Sequence, residues 1–371
     1  MDKLIVIPAL NPTDGLISYI DRLRSHGFEH ILIVDDGSRE SCRRIFDEAE
    51  QKGCTIIRHN VNLGKGRALK DAMSFYLETE GRYLCLKNKI ETKEPSPSLN
   101  FSGIITADSD GQHTAEDVAK VAQAMDEHPG SLILGARNFD TGYIPPKSKF
   151  GNKCTITALR LFIGGSISDT QTGLRGIPNA LIERYSHLKG ERFEYETVML
   201  VDAIHEGTDI VEVPIKTVYI DNNSETHFNP IKDSAKIYGV ILGTFFRYML
   251  SSLSSFLVDY GLFCALIFIL GTSKDSQSRS VWIATVVARI CSSIFNYTVN
   301  KKVVFKSNRG SSTIIMYFTL CICQMAASAA LVSLIGATGF PVQIAKIIVD
   351  SILFLVSFRI QKTLIFTRKT K

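Results

Sequence analysis

The C-terminal third of the chain consists of long apolar segments separated by short polar loops, and this pattern limits the fold more than any other feature. The four segments span about residues 248–270, 281–304, 314–335 and 344–366. Each provides the ~20 residues that a helix needs to cross a bilayer. A buried soluble bundle is the alternative, but its helices would carry polar faces that these segments lack. The sequence therefore predicts an integral membrane protein with an all-α transmembrane domain of four helices.

Basic residues are concentrated on one side of this predicted bundle. The loop after the second segment and the C-terminal end carry Lys301, Lys302, Lys306, Arg309, Arg359, Lys362, Arg368, Lys369 and Lys371. The other two loops carry Lys274 and Arg279. Because Lys and Arg favour the cytoplasmic side, we expect both termini to lie in the cytoplasm, at the plasma membrane.

The first 235 residues alternate short apolar runs with segments of helical spacing. The predicted strands are Leu4–Leu10, His30–Asp36, Cys54–Arg58, Gly103–Ala107 and Ser131–Gly135. Segments of helical type lie between them, for example Asp14–His26 and Ala115–Glu127. Strands separated by helices of this length form a mostly parallel sheet with helices on both faces. The sequence therefore predicts an α/β domain of nucleotide-binding type.

The length of 371 residues suggests two domains. We place the α/β domain at residues 1–229 and the transmembrane domain at residues 248–371. Residues 230–247 mix basic and apolar side chains, a composition that suits the membrane interface. Residues 87–100 are rich in Pro and Ser and are expected to form a mobile loop before the fourth strand.

Charge and cysteine content exclude other classes of protein. The net charge is +5, and no dense Lys/Arg run with interleaved aromatics indicates nucleic acid binding. The eight cysteines have no Cys-x-x-Cys spacing, so we interpret them as reduced residues. The apolar run near the N-terminus is too short for a signal peptide, and we expect the α/β domain to remain in the cytoplasm.

Polar residues follow each of the first five predicted strands. They are Asn11, Asp35 with Asp36, Asn60 with Asn62, Asp108 with Asp110, and Arg137. The carboxyl ends of parallel strands meet at one edge of a sheet, where α/β proteins bind ligands. Taken alone, a strand end such as Asp-Asp-Gly-Ser is equally typical of an ordinary turn. Five together predict a ligand crevice.

Two of these strand ends have chemistry of their own. In Asp108-Ser-Asp110-Gly-Gln112, two carboxylates beside an amide oxygen suit Mg²⁺ or Mn²⁺, with a solvated acidic loop as the alternative. Gly64-Lys65-Gly66 opens a helix and suits phosphate, through free N–H groups and the lysine charge. It lacks the spacing of either the P-loop or the dinucleotide fingerprint.

Four motifs, in this order, resemble family 2 glycosyltransferases, and among them the dolichyl- and polyprenyl-phosphate sugar synthases. They are Ile7-Pro8-Ala9-Leu10-Asn11, Val34-Asp35-Asp36-Gly37-Ser38, Asn62-Leu63-Gly64-Lys65-Gly66 and Asp108-Ser109-Asp110-Gly111-Gln112-His113. The resemblance covers about residues 1–235 and implies a GT-A fold that uses a nucleotide-sugar. Pro12 departs from the pattern, because many relatives carry Glu after Asn.

The resemblance also implies roles by position. The nucleotide-sugar would contact Pro8, Asn11, Asp35, Asp36, Asn62, Gly64, Lys65 and Asp108. The metal, Mg²⁺ or Mn²⁺, would be held by Asp108, Asp110 and Gln112. The acceptor phosphate would contact Arg137, Lys147, Lys149 and Arg175. For Lys147 and Lys149 the alternative is a position in a solvated loop near the membrane surface, without contact to the phosphate. Catalysis would depend on Asp108, Asp110, Asp169 and Arg137. Glu196 is left without an assigned role.

The apolar third resembles the GtrA-like four-span proteins. The resemblance rests on Arg289, Asn296-Tyr297, Asn300-Lys301, Val304-Phe305 and the closing Gln361-Lys362. Such proteins are associated with moving lipid-linked sugars or organising their synthesis. Asp259 and Arg289 fall at similar depths in neighbouring segments, which leaves both an ion pair and a role in headgroup handling open.

Together these resemblances imply inverting, metal-dependent transfer of one sugar from a UDP- or GDP-linked donor to undecaprenyl or dolichyl phosphate. The lipid product would serve cell-envelope glycan modification or protein glycosylation. One alternative is a processive polysaccharide synthase, but its Gln-x-x-Arg-Trp segment is missing and the one tryptophan, Trp282, lies inside a span. The other is a lipid-linked sugar translocator whose front half only binds donor. Membrane lipid is a further partner, nucleic acid is not, and a homo-oligomer is left open.

Overall fold

The computed structural model describes residues 3–79, 101–137, 146–165, 167–216, 231–270 and 277–366. The chain divides into two compact units, Met1–Ile241 and Leu242–Lys371. The loop predicted at residues 87–100 and the basic residues predicted beyond residue 366 lie outside the described residues. The cysteines of the described part are free.

The first unit contains one seven-stranded sheet. Its strands are β1 (Leu4–Ala9), β2 (Ile31–Asp35), β3 (Thr55–Arg58), β4 (Gly103–Thr106), β5 (Leu132–Arg137), β6 (Arg175–Pro178) and β7 (Ile210–Ile215). They are arranged in the order β3-β2-β1-β4-β6-β5-β7. β6 pairs antiparallel with β4 and β5, whereas the remaining pairs are parallel. The predicted α/β class is confirmed, and the antiparallel strand is an addition to the predicted sheet.

Helices cover both faces of this sheet. They are Gly15–Ser25, Arg43–Gln51, Lys65–Thr79, Ala115–Glu127, Pro146–Phe162, Asn179–Ser186 and Glu194–Glu206. On one face Ile5 and Ile33 pack with Leu16 of the first helix. On the other face the alternating residues Val6 and Leu32 are equally buried, because the Lys65–Thr79 helix contacts β1 and β2 there. Full burial of each such side chain contributes roughly 1.5–3 kcal/mol.

The second unit is helical. Its helices are Lys232–Leu270, Gln277–Val299, Ser312–Gly336 and Val342–Ile360, and the second and fourth continue as π-helical turns at Asn300–Val304 and Gln361–Ile365. In the described part of the chain, three helices are long and apolar enough to cross a membrane: Lys232–Leu270, Arg279–Val304 and Ser312–Gly336. The fourth predicted span forms Val342–Ile360, which carries Lys346, Asp350 and Arg359 and is not among them. The predicted count of four spans is therefore not confirmed.

The two π-helical turns bring together polar residues that are far apart in the sequence. The Asn300 side-chain amide donates to the Asn296 side-chain oxygen at 2.9 Å and to the Gln361 side-chain oxygen at 3.0 Å. Gln361 in turn donates to the hydroxyl of Tyr248 at 3.3 Å. Asn300 and Gln361 are buried. Buried amides need such partners, because an unsatisfied polar group in an apolar interior is costly.

Candidate active site

The polar strand ends of the first unit lie at one edge of its sheet. The parallel registers place Asp35 opposite Ala9 and Arg58 opposite Asp35. β6 begins at the same edge, because Arg175 pairs with Thr106 at the end of β4. This is the edge at which open α/β sheets bind ligands.

The loops after β1, β2 and β3 are joined by side chains of the predicted nucleotide site. Asp36 accepts the backbone N–H groups of Leu63 and Gly64, each at 2.8 Å, and contacts His59 Nδ1 at 2.9 Å. Asn11 has a positive φ of 50°, and its side-chain oxygen accepts the Arg39 N–H at 2.9 Å. The buried Asp36 carboxylate therefore shapes the loop that carries the Gly-Lys-Gly turn.

Pro8 and Asp35 lie on the same edge. Pro8, near the end of β1, is partly exposed. The Asp35 carboxylate accepts the Ser38 N–H at 2.8 Å and so closes the turn after β2. Asn62 is exposed, and its backbone packs against Gly37, where an added Cβ would lie 2.5 Å from the Asn62 nitrogen.

Gly64 stands where no other residue fits easily. Its φ is 107°, and an added Cβ would lie 2.4 Å from the Glu191 carbonyl oxygen. We expect Gly64→Ala to destabilise the first unit by about 3 kcal/mol, because backbone strain and a forced shift of the Glu191 backbone add together. Gly27→Ala is the matched control: its φ is 84°, but the space around it is open, so about 1 kcal/mol is expected. Thermal unfolding of the two variants measures the difference, and equal shifts would contradict the contact argument.

The Asp108 carboxylate is the centre of a charged cluster at the end of β4. Lys65 Nζ lies 2.6 Å from Asp108 Oδ1 and 2.9 Å from Glu196 Oε1. His113 Nε2 lies 3.2 Å from Asp108 Oδ2. Burial alone would raise the pKa of Asp108, but the Lys65 ammonium and His113 outweigh it and hold that pKa far below its usual range. Conversely, the two carboxylates raise the pKa of Lys65 above its usual value despite burial.

Asp110 and Gln112 complete the predicted metal ligands. The Gln112 N–H donates to Asp110 Oδ1 at 3.0 Å, which holds the turn. The Asp110 carboxylate reaches the surface, and its pKa is raised by partial desolvation and by the negative charge of Asp108. Within the described residues, no group of three or more His, Cys, Asp or Glu side chains is arranged to hold a metal. A metal here would need the amide oxygen of Gln112 besides the two carboxylates.

The charges of Asp108 and Asp110 suit a divalent cation. The Asp108 carboxylate already binds the Lys65 ammonium at 2.6 Å, which shows that it attracts positive charge. The negative charge of Asp108 also contributes to raising the pKa of Asp110, so a cation between the two carboxylates would relieve their repulsion. Oxygen donors of this kind are those that Mg²⁺ and Mn²⁺ prefer.

The segment of residues 168–175, which carries Asp169, lies against the turn that carries Asp108 and Asp110. The Thr106 hydroxyl donates to the Gly173 carbonyl at 2.8 Å. A Cβ added at Gly173 would lie 2.4 Å from Asp108 Oδ2, so only glycine permits this approach. The two acidic motifs therefore meet at the sheet edge.

Asp169 and Arg137 form a bidentate ion pair beside this contact. Arg137 Nε donates to Asp169 Oδ2 at 2.6 Å, and Arg137 Nη2 donates to Asp169 Oδ1 at 3.0 Å. Asp169 is completely buried, and it also accepts the Gln171 N–H at 3.0 Å. Both carboxylate oxygens are thus engaged in fixing the guanidinium, which is 15% exposed.

Comparison with known proteins decides the class of this site. Residues 4–85 match the profile of glycosyl transferase family 2, and residues 247–366 match that of the GtrA/DPMS transmembrane domain. The chain carries a family 2 glycosyltransferase domain and a GtrA/DPMS transmembrane domain. It is therefore a glycosyltransferase and an integral membrane protein, and its mixed sheet is GT-A-like.

Three relatives are similar to more than half of the chain at 24–28% identity. An uncharacterized protein of Methanocaldococcus jannaschii is 28% identical over 246 residues, 65% of this chain and 92% of that protein. The UDP-N-acetylglucosamine–dolichyl-phosphate N-acetylglucosaminyltransferase of Methanococcus voltae is 28% identical over 241 residues, 59% of this chain and 88% of that enzyme. The polyprenol monophosphomannose synthase of Mycolicibacterium smegmatis is 24% identical over 221 residues, 57% of this chain and 76% of that enzyme.

Arg175, one of the residues predicted to contact the acceptor phosphate, lies in the interior of the transferase domain. Arg175 is completely buried; it donates from Nε to the Thr172 carbonyl at 3.1 Å and from Nη1 to the Glu196 carbonyl at 2.7 Å. Arg175 is the first residue of β6, which lies between β4 and β5. Arg175 is therefore hydrogen-bonded to the helix start that carries Glu196, and its predicted contact with an acceptor phosphate stays a prediction.

The predicted basic loop at the acceptor side begins a helix. Lys147 and Lys149 lie in the first turn of Pro146–Phe162, where Lys149 is exposed. The side chain of Lys147 lies outside the described residues. Their predicted contact with an acceptor phosphate stays a prediction.

Sequence reasoning left Glu196 unassigned, although it contacts Lys65 directly. Glu196 lies in the first turn of Glu194–Glu206 and is buried. The available signal was the pair of acidic residues, Glu194 and Glu196, in the first turn of this helix. A carboxylate that is buried there is expected to have a positively charged or hydrogen-bonding partner. The partner itself lies 131 positions earlier in the chain and could only be found from the fold.

Proposed function

We propose that this glycosyltransferase transfers a single sugar from a nucleotide-sugar, UDP- or GDP-linked, to a polyprenyl phosphate at the cytoplasmic membrane face, with inversion. The observation that carries the proposal is the meeting of Asp108, Lys65 and the Asp169–Arg137 pair at one sheet edge. The names of the relatives support dolichyl or polyprenyl phosphate as the acceptor class. The product would serve cell-envelope glycan modification or protein glycosylation.

The donor diphosphate is best placed at the start of the Lys65–Thr79 helix. The first N–H groups of a helix have no partner inside the helix, and together with the helix dipole they favour an anion. Lys65 is the first residue of that helix and adds a positive charge. Its ammonium would exchange a carboxylate for a phosphate oxygen when the donor arrives. The loop held by Asp36 would then position the nucleoside.

Asp108, Asp110 and Gln112 would hold Mg²⁺ or Mn²⁺. Bound there, the cation would offset negative charge on the departing diphosphate as a Lewis acid. The chain's own contribution is to keep Asp108 ionised through Lys65 and His113.

The acceptor needs little help from a protein base. The second pKa of a phosphate monoester is about 6, so the acceptor oxygen is already largely ionised near neutral pH. One of its oxygens forms the bond to the anomeric carbon while the bond from that carbon to the donor phosphate oxygen breaks, and the nucleoside diphosphate leaves. Asp169 has both oxygens on Arg137, so we assign it to hold the guanidinium for the incoming phosphate.

The transmembrane domain would bring this acceptor to the enzyme. We propose four spans with both termini in the cytoplasm, the fourth being Val342–Ile360. The basic residues of the loop after the second span support this orientation. A cytoplasmic transferase domain would also have access to nucleotide-sugars.

Glu196→Gln tests whether Lys65 is held in place by this carboxylate. We expect kcat/KM for the donor to fall about tenfold, because one of the two charged partners of Lys65 is lost. Glu206→Gln, on the exposed end of the same helix, is the matched control and should behave as wild type. Initial-rate kinetics with melting temperatures measure both, and a wild-type kcat/KM in Glu196→Gln would refute the holding role.

The experiment for the proposed function is a donor panel. Purified full-length protein is incubated with undecaprenyl phosphate, Mg²⁺ or Mn²⁺ and a series of UDP- and GDP-sugars, and the lipid is analysed by mass. We expect one sugar per lipid from one donor. A ladder of sugar masses would indicate a processive synthase, and unchanged lipid with every donor would indicate a domain that only binds donor.

A further inference from the structure

A histidine joins two carboxylates beside the predicted donor site. His59 is the first residue after β3, and its Nδ1 lies 2.9 Å from Asp36 Oδ1 while its Nε2 lies 3.1 Å from Asp71 Oδ2. Asp36 follows β2, and Asp71 belongs to the Lys65–Thr79 helix. The side chains of His59 and Asp36 are 8% and 5% exposed. The histidine therefore ties the end of β2 to both ends of the loop formed by residues 60–64.

The geometry favours the protonated form of this histidine. A neutral imidazole has one N–H group, and its other nitrogen presents a lone pair. Whichever nitrogen holds that proton, the lone pair of the other would face a carboxylate oxygen, 2.9 Å away at Asp36 or 3.1 Å away at Asp71. An imidazolium is attracted by both carboxylates.

The other charged groups on the neighbouring elements have partners of their own. On the Lys65–Thr79 helix, Arg67 Nε lies 2.8 Å from Glu191 Oε2, and its Nη1 lies 3.6 Å from the second oxygen of Asp71. On β3, Arg58 pairs with Asp47 and Glu50 of the Arg43–Gln51 helix. The carboxylates of Asp36 and Asp71 are therefore the charges that lie directly against the His59 ring.

We infer that protonated His59 is a positioning residue for the nucleotide-sugar, because it holds the loop of residues 60–64 in the conformation that binds the donor. The Asp36 carboxylate accepts the Leu63 and Gly64 N–H groups, so holding this carboxylate also holds the loop. The loop leads directly into Lys65, the residue proposed to contact the donor diphosphate. His59 acts through Asp36 and does not contact the donor itself. For the identity of the ligand, the inference rests on the proposed function.

This arrangement makes donor binding depend on pH. When His59 loses its proton, one of the two attractions becomes a repulsion between a lone pair and a carboxylate. The loop then spends part of its time in conformations that do not bind, and the observed affinity falls with the competent fraction. Donor affinity should therefore be higher at the acidic end of the range in which histidine titrates, about pH 5 to 8, than at the basic end.

The test measures donor affinity without transfer. Full-length protein with Mg²⁺ and without acceptor is titrated calorimetrically with UDP-N-acetylglucosamine, UDP-glucose and GDP-mannose at several values between about pH 5 and 8. The phosphates of these probes keep their charge throughout this range. For the probe that binds most tightly, wild-type affinity should fall about tenfold from the acidic to the basic end. His59→Gln should have the weaker affinity at both ends, because glutamine has no proton to lose.

Two matched variants separate this role from a general effect on folding. Asp71→Asn changes a side chain that is 33% exposed and removes one of the two carboxylates that favour the protonated ring. Its affinity should therefore begin to fall at lower pH than that of the wild type. His128→Gln replaces an exposed histidine that follows the Ala115–Glu127 helix, and it should keep the wild-type pH dependence. Melting temperatures verify that each variant is folded.

Hydrogen exchange gives a second readout that needs no ligand. In His59→Gln, the peptide that contains Leu63 and Gly64 should exchange faster than in the wild type, while the buried strand β2 should be unchanged. A wild-type affinity that does not change with pH, an unaltered pH dependence in His59→Gln, or equal exchange of the loop in both proteins would each overturn the inference. Failure of the proposed function would instead show as absent lipid product in the donor panel, with pH-dependent donor binding intact.

Discussion

Replacing Asp108 with asparagine is expected to lower kcat by about a thousandfold or more. Asn keeps the shape of the side chain but removes the negative charge that holds Lys65 at 2.6 Å and that a divalent cation would need. The neighbouring carboxylate of Asp110 is exposed and accepts the Gln112 N–H at 3.0 Å, so it is not placed to take over the contact with Lys65. Transfer rates with saturating donor and acceptor measure the effect.

Asp14→Asn is the control for this prediction. Asp14 is 73% exposed and pairs with Arg44 on the surface, so its loss should leave the rate unchanged. Melting temperatures of both variants verify the fold. If folded Asp108→Asn retained more than about a tenth of the wild-type kcat, the carboxylate would not be central to catalysis.

Asp169→Asn is expected to give a different result, a folded enzyme with measurable turnover. The wild-type carboxylate is fully engaged with Arg137, and an ionised acceptor has no proton to give it. Asn can still accept one hydrogen bond from the guanidinium. By contrast, Asp169→Ala removes the carboxylate that binds Arg137 inside the site, and we expect lower stability and a much lower rate.

The pH dependence of kcat separates this role from general base catalysis. In wild type and in Asp169→Asn alike, the rate should rise with pH through the acceptor's second pKa of about 6 and then level off. Removal of a true general base would instead cost about a hundredfold to ten-thousandfold and abolish the rise in rate that accompanies deprotonation of that base. Complete loss of turnover in folded Asp169→Asn would count against a phosphate acceptor.

Much of the transferase fold was predictable because its signals are local. The runs that form β1, β2 and β4 are continuous and apolar, and each ends in polar turn residues, as buried parallel strands do. The antiparallel β6 escaped prediction, since Arg175–Pro178 is short and begins with a charge. That strand begins with Arg175, whose burial the sequence did not indicate.

The site was predictable only in part, because some of its contacts join distant residues. Asp108 and Lys65 could be named from motifs, but the Lys65–Glu196 contact depends on how two helices meet. The hydrogen bonds of the Asp36 carboxylate could not be predicted for the same reason. The sequence indicates a polar strand end, whereas the fold uses both oxygens to hold the loop at Leu63 and Gly64.

The fate of one oxygen atom tests the central claim most directly. The donor identified by the panel is prepared with a heavy oxygen isotope in the bridge between its anomeric carbon and its phosphate, and the products are weighed by mass spectrometry. Transfer of the sugar to an acceptor phosphate predicts that all of the label leaves with the nucleoside diphosphate and that the lipid product contains none. Label in the lipid product would contradict this account, because it would mean that the sugar moved together with its phosphate.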